Sequence, residues 1–203
     1  MLFRSLLDAV AEEEKVCSYL DVPLQHIDDD ILRRMGRAST EASTRELVAR
    51  MRDRVPDVAL RTSFIVGFPG ETDEAFARLL DFVVDSKFDH CGVFAYSPED
   101  GTPSADWDGQ VPDEVKQERF MELVATQTEV AIELRAEFIG REVEVLVDGR
   151  RSETGVVEAR MRRQAPEIDD VVYVEDADVK SGSLVRALIT DASDLDLYGR
   201  LVE

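Results

Sequence analysis

The chain has 203 residues, 44% of them hydrophobic, which suits one or two globular domains and leaves no apolar run of membrane-spanning length. Its net charge of −20 disfavours binding to a phosphate backbone and favours a basic partner, although such a surface also aids solubility. Its start lacks the features of a signal peptide, and Cys17 and Cys91 are too few for a disulfide scaffold and too far apart for a metal pair. We therefore expect a cytoplasmic protein.

Helical and strand-like patterns alternate over the first two thirds of the chain. Helices are predicted over 2–14, 30–35, 42–54, 73–86 and 112–138, and strands over 19–24, 58–66 and 91–96. Such a series predicts a parallel sheet of barrel or doubly wound type, whose ligands bind at the carboxyl ends of the strands. Three strands cannot close a barrel, so the predicted first domain, residues 1–138, looks incomplete.

The segment from Arg61 to Thr72 is the most informative motif. It reads as a strand buried on both faces that runs into a glycine-proline turn and then a helix capped by Thr72. Gly67 and Gly70 lack a Cβ atom and so allow a ligand to approach the backbone, but an ordinary strand-to-helix loop explains them equally well. Polar residues after the other strands are expected at the same rim.

The rest of the chain, residues 139–203, has only strand-like patterns. Strands are predicted over 143–147, 154–159, 171–174, 184–190 and 197–202, with a turn at Asp148-Gly149. Five short strands suggest a partly open, OB-like barrel, a common module for recognising nucleic acids or proteins. Arg160, Arg162 and Arg163 cluster in one loop, yet the module is acidic overall.

Several motifs together resemble the radical S-adenosylmethionine (SAM) methylthiotransferases. They are Tyr19–His26, Ile31–Arg37, Arg61–Thr72, Phe94–Pro103 and the closing β module. Segments 165–169, 171–174 and 196–199 are similar to the branch that methylthiolates an aspartate of a small-subunit ribosomal protein. The transfer-RNA branch looks different there.

The resemblance implies an α/β fold in which part of a TIM-like radical SAM barrel precedes a small all-β TRAM barrel. It also implies SAM and two 4Fe-4S clusters as cofactors. The family binds one cluster through a C-x-x-x-C-x-x-C loop and the other through three further cysteines, and this chain contains neither set. We therefore expect the C-terminal part of such an enzyme, inactive alone and without metal ligands of its own.

The resemblance also assigns candidate binding residues. The turn residues Gly67, Pro69, Gly70 and Glu71 would line the adenosyl part of SAM. Three more, Gln25, His26 and Arg37, would lie nearer the reacting centre or the second cluster. Each has a simpler explanation. Gln25 and His26 could be satisfied structurally, as a lone histidine more often is, and Arg37 could form a surface or sheet-rim ion pair. No catalytic residue is assigned.

Three functions remain open from the sequence. The favoured one is methylthiolation of the aspartate β-carbon in a basic ribosomal protein. The second is modification of transfer RNA, which requires a basic face on the TRAM module. The third is a non-catalytic acidic module that docks a basic protein.

Overall fold

The computed structural model describes residues 2–150, 156–175 and 179–202. The helices are α1 (Leu2–Glu12), α2 (Asp29–Arg34), α3 (Glu41–Arg54), α4 (Asp73–Ser86) and α5 (Asp113–Ala136), with a short 3₁₀ helix at Pro103–Asp106. The strands are β1 (Tyr19–Asp21), β2 (Ala59–Val66), β3 (His90–Ala95), β4 (Glu142–Arg150), β5 (Val157–Met161), β6 (Val172–Glu175), β7 (Leu184–Ala192) and β8 (Leu197–Leu201). Within the described ranges, no helix is both long and apolar enough to cross a bilayer.

One compact unit, residues 20–54 and 60–130, contains most of a three-stranded sheet in the order β1-β2-β3. Strands β2 and β3 pair in parallel, from Arg61 opposite His90 to Val66 opposite Ala95. The prediction of a parallel sheet is therefore confirmed. Burial of β2 on both faces is the expectation from the sequence. In the structure Phe64 is fully buried, whereas Ile65 is only partly buried.

Helix α4 packs its apolar stripe beside β2. Phe82 lies edge-on to Phe64 and Phe88, with ring centroids 6.2 and 5.6 Å apart. Burying each of these rings contributes roughly 2–3 kcal/mol. Thr72 caps the helix by accepting a hydrogen bond from the Ala75 amide at 3.2 Å, as the sequence predicts. This packing fixes the end of β2, where the glycine turn begins.

The second unit comprises residues 2–19 and 55–59 together with the described residues from 131 onward. Its strands form a closed barrel in the order β4-β5-β6-β8-β7. We expected a partly open barrel, but β6 and β8 pair in parallel, from Val172 opposite Leu197 to Glu175 opposite Arg200, and close it. The boundary at residue 138 stays a prediction.

The predicted turn at Asp148-Gly149 is wrong. Strand β4 continues to Arg150, and its pairing with β5 shifts register between Val147 and Gly149. An Asp-Gly pair favours a turn locally, but here the extra residue Asp148 is absorbed as a β-bulge. The predicted start of β5 at Thr154 lies outside the described residues.

Candidate functional site

A pocket of about 450 Å³ lies where the loops after the strands of the parallel sheet meet. Gln25 follows β1, Phe68 follows β2, and Ser104 and Trp107 follow β3. This volume falls within the range of small-molecule sites. The loops after all three strands therefore contribute to one cavity, as the rule for parallel sheets predicts.

The pocket is cationic although the protein is strongly acidic. Arg34 and Arg37 line it, and no Asp or Glu is found among its described lining residues. Ile65, Phe68 and Trp107 supply apolar and aromatic surface. A cavity with this lining suits a ligand that combines a flat apolar ring with an anionic group.

Gln25 has an unusual backbone conformation, with φ at +72°. Its amide donates to the Ser63 carbonyl at 2.8 Å, and its carbonyl accepts from the Ile65 amide at 2.8 Å. These two bonds, which join it to β2, hold a non-glycine residue in the left-handed region at a cost of about 1–3 kcal/mol. Strain of this kind is common at functional sites.

Gly67 and Gly70 both have positive φ angles, +73° and +89°. A Cβ atom added at Gly67 would lie 2.3 Å from Cγ of Lys116, and one at Gly70 would lie 2.1 Å from Nη1 of Arg34. The groups that approach these glycines are therefore side chains of the protein itself. Contact of a ligand with the glycines stays a prediction.

Glu71 is held beneath this turn, with its side chain fully buried. Oε2 accepts from the Gly67 amide at 2.8 Å, and Oε1 accepts from Nη1 of Arg119 at 3.0 Å. Arg119, itself buried, also bonds Asp73 at 2.6 Å. Both carboxylate oxygens of Glu71 thus accept hydrogen bonds that hold the turn. These contacts do not indicate that Glu71 touches a ligand directly.

His26 adjoins the same buried group. Its Nδ1 accepts from the Asp28 amide at 3.0 Å, so the neutral ring carries its proton on Nε2. Nε2 lies 3.5 Å from Oε2 of Glu71. Of the residues that the sequence predicts, Gln25 and Arg37 line the pocket. His26 and Glu71 are buried and are not among its lining residues.

Sequence reasoning missed most of the lining residues, and Arg34, Phe68 and Trp107 are three of them. Nη1 of Arg34 donates to the Pro69 carbonyl at 2.6 Å, and its guanidinium lies 5.6 Å from the centre of the Trp107 ring. Phe68 meets Trp107 edge-on at 6.0 Å. Trp107 is the single tryptophan of the chain, and this was the one sequence signal that pointed to it.

Cluster ligands are not assembled in the part of the chain that the structure describes. No group of three or more His, Cys, Asp or Glu side chains placed so that it could hold a metal ion occurs there. Cys17 is exposed, and burial raises the pKa of the Cys91 thiol to about 12, against a smaller opposing effect of Arg61. Because cluster ligands are thiolates, the described residues do not fit an iron–sulfur cluster.

The three arginines that we expected in one loop make internal contacts, and the first of them, Arg160, lies in β5 rather than in a loop. Arg160 pairs with Asp148, Arg162 donates to the carbonyls of Glu14 and Val16, and the Arg163 guanidinium lies 5.0 Å from the ring centre of Phe138. These contacts give each arginine a structural role. They do not form a row of free cations suited to a phosphate backbone.

Sequence comparisons identify protein families and individual proteins that this chain resembles. The radical SAM superfamily profile matches residues 1–83, and the TRAM domain profile matches residues 139–202. The chain is 48% identical, over 98% of its length, to the ribosomal protein uS12 methylthiotransferase RimO of Geotalea uraniireducens. Over this length the chain is therefore similar to the radical SAM methylthiotransferases. The RimO protein of Geobacter sulfurreducens is similar at 49% identity over 97% of the chain.

The chain spans 44% of the length of each of these two relatives, consistent with their C-terminal part. Coproporphyrinogen III oxidase (HemN) of Escherichia coli, a radical SAM enzyme, shares the fold. It has a TM-score of 0.51 at 17% identity, over 78% of this chain and 42% of that chain. Together with the closed barrel, this confirms the predicted fold class.

Proposed function

We propose that this chain forms the SAM-binding and target-binding part of an enzyme that methylthiolates an aspartate of ribosomal protein uS12. The observation that carries the proposal is the 48% identity with a RimO protein over nearly the whole chain. The pocket supports it, since its position at the strand ends suits a cofactor in a parallel-sheet enzyme. In this family, bound SAM is the source of the radical chemistry.

The pocket would hold SAM through two kinds of surface. The apolar wall of Ile65, Phe68 and Trp107 suits the adenine ring. Gln25 suits the polar edge of the ligand, since its side-chain amide makes no hydrogen bond within the described residues. Glu71 acts indirectly in this proposal, by fixing the turn that carries Phe68.

A basic protein target suits this chain better than transfer RNA. The net charge of −20 attracts a basic protein and repels a phosphate backbone. The internal contacts of Arg160, Arg162 and Arg163 further weaken the RNA alternative. In a competition between labelled transfer RNA and uS12, we expect uS12 to bind more tightly, with an affinity that falls as salt rises.

A chimaera tests the proposed activity. This chain would replace the matching part of the Geobacter sulfurreducens RimO, to which it is 49% identical over 198 residues. After cluster reconstitution, we expect mass spectrometry to find one methylthio group on an aspartate of uS12. A folded chimaera that carries its clusters and cleaves SAM but leaves uS12 unmodified would contradict the proposal. Transfer RNA as the substrate is the matched control.

A further inference from the structure

The three-stranded sheet has one covered face and one open face. Phe64 is fully buried on the face that packs against α4, whereas its neighbours Ser63 and Ile65, which point to the other face, are only partly buried. Phe94 of β3 lies opposite Ile65 in the parallel register, so it is on the open face, and it is 59% exposed. The edge strand of the sheet therefore presents an aromatic side chain to solvent.

The Phe94 ring lies back across its own strand. A Cβ atom added at Gly92 would be 3.3 Å from Cε2 of Phe94 and 3.6 Å from Cβ of Ser63. Within the described residues, Phe94 makes no contact with another aromatic ring or with a cation. Its register partner Ile65 also belongs to the apolar wall of the pocket, so Phe94 extends that apolar surface beyond the pocket.

The loop that follows β3 is acidic. Residues 96–112 contain no lysine, arginine or histidine, and their acidic members are Glu99, Asp100, Asp106 and Asp108. All four are exposed, and none forms an ion pair with a residue that the structure describes. An exposed aromatic ring next to unpaired carboxylates suits a basic polypeptide, because its cationic side chains can pair with the loop while an apolar one packs on the ring.

We infer that Phe94 is a specificity-determining residue that receives a basic segment of uS12, whose cationic side chains pair with the carboxylates of the 96–112 loop. Because the open face and the pocket are continuous through Ile65, a segment held on Phe94 has its neighbouring residues beside the pocket. This inference rests on the proposed function, since it takes uS12 as the target and the pocket as the place of reaction.

Calorimetric titration of the whole chain with uS12 tests the role of the ring. The variant is Phe94→Ala, and the matched control is Met121→Ala, because Met121 is 58% exposed on α5. We expect Phe94→Ala to weaken uS12 binding by about tenfold and the control to leave it unchanged. Phe94→Leu should recover part of the loss, because leucine keeps an apolar contact. Since Phe94 is largely exposed, these variants should fold normally, and thermal denaturation checks this.

A second pair of variants tests the acidic loop. Glu99→Gln combined with Asp100→Asn removes two negative charges from it, and Glu118→Gln combined with Glu122→Gln removes two exposed charges from α5. Because the loop carboxylates are taken to meet the target directly, the first pair should lower uS12 affinity at low salt more than the second pair does. It should also reduce the salt dependence of binding more strongly.

The titrations separate the inference from the proposed function. Full uS12 affinity in Phe94→Ala would overturn the inference and leave the proposed function standing, whereas a wild-type chain that does not bind uS12 would overturn both. A loss of SAM affinity without a loss of uS12 affinity would place the ring at the cofactor and also overturn the inference. So would a wild-type dimer, detected by sedimentation, that Phe94→Ala dissociates, because a second copy would then cover this face.

Discussion

The buried carboxylate of Glu71 accepts a hydrogen bond from the Gly67 amide at 2.8 Å and so closes the turn between β2 and α4. The other carboxylate oxygen accepts a hydrogen bond from Nη1 of Arg119 at 3.0 Å. Both members of this ion pair are buried, so each depends on the other for its charge to be tolerated.

We predict that Glu71→Gln lowers the free energy of unfolding by about 3 kcal/mol, since Arg119 would lose its buried partner. Asp73 still contacts Arg119 but is exposed, so it offsets little of the loss. Urea denaturation followed by the fluorescence of Trp107 measures the effect. Arg33→Gln, which breaks an exposed pair, should change stability by less than about 0.5 kcal/mol. Equal effects of the two substitutions would contradict the proposed role of Glu71.

Gly70 should be more sensitive to substitution than a glycine in open space. Gly101 has a similar φ of +83° with nothing within 4 Å of an added Cβ, so Gly101→Ala should cost only the left-handed strain of about 1 kcal/mol. Gly70→Ala adds a clash with Nη1 of Arg34 and should cost about 1 kcal/mol more, as Arg34 gives up its bond to Pro69. Thermal denaturation compares them. A Gly70 variant as stable as the Gly101 variant would show that Arg34 moves freely.

Displacement of Arg34 by Gly70→Ala should also change the pocket. Because the Arg34 guanidinium stacks on Trp107, the variant should alter the emission of this single tryptophan, whereas Gly101→Ala should not. SAM affinity should fall by more than the loss of folded protein explains. Unchanged emission and affinity would leave the turn a structural loop.

Asp28 should make the stability of the protein depend on pH. Burial alone would raise the pKa of this carboxyl, but the bond to Arg78 and those from the Asp30 and Ile31 amides outweigh burial and lower it. The carboxylate therefore stabilises the fold above its unfolded pKa near 3.8, and this contribution disappears as the pH falls through the lower folded pKa.

Asp28→Asn keeps the cap on α2 but removes the ion pair with Arg78, and at pH 7 it should cost about 1 kcal/mol. The difference from wild type should shrink at about pH 3, which lies below the unfolded pKa of 3.8, so that the carboxyl of the unfolded chain binds a proton. Urea titrations at the two pH values measure this. A difference that does not depend on pH would exclude the charge of Asp28 as its cause.

Some of this structure follows from local sequence, and some depends on distant partners. Helix α4 begins and ends as predicted because Thr72 and the apolar stripe define it locally. The family resemblance points to Gln25 and Arg37, and both line the pocket, while their contact with a ligand stays a prediction. By contrast, the sequence alone gave no sign that Glu71 would be buried, because its partner Arg119 lies 48 residues further along the chain. Barrel closure likewise depends on the long-range pairing of β6 with β8.

Iron–sulfur binding provides a further test. We predict that this chain takes up no stoichiometric cluster after anaerobic reconstitution, because it contains only two cysteines and the raised pKa keeps the Cys91 thiol protonated. Iron and sulfide analysis gives the result. A stoichiometric cluster with its charge-transfer absorbance would contradict the prediction.

Titration of the Trp107 fluorescence with SAM is the most direct test of the central proposal, that the pocket at the strand ends binds the cofactor. Trp107 lines this pocket and is the only tryptophan, so its signal reports on this site alone. We expect a saturable change in emission with SAM, and a weaker response in Gln25→Ala, which alters another residue of the pocket lining. Calorimetric binding of SAM with no change in Trp107 emission would place the cofactor elsewhere and contradict the proposal.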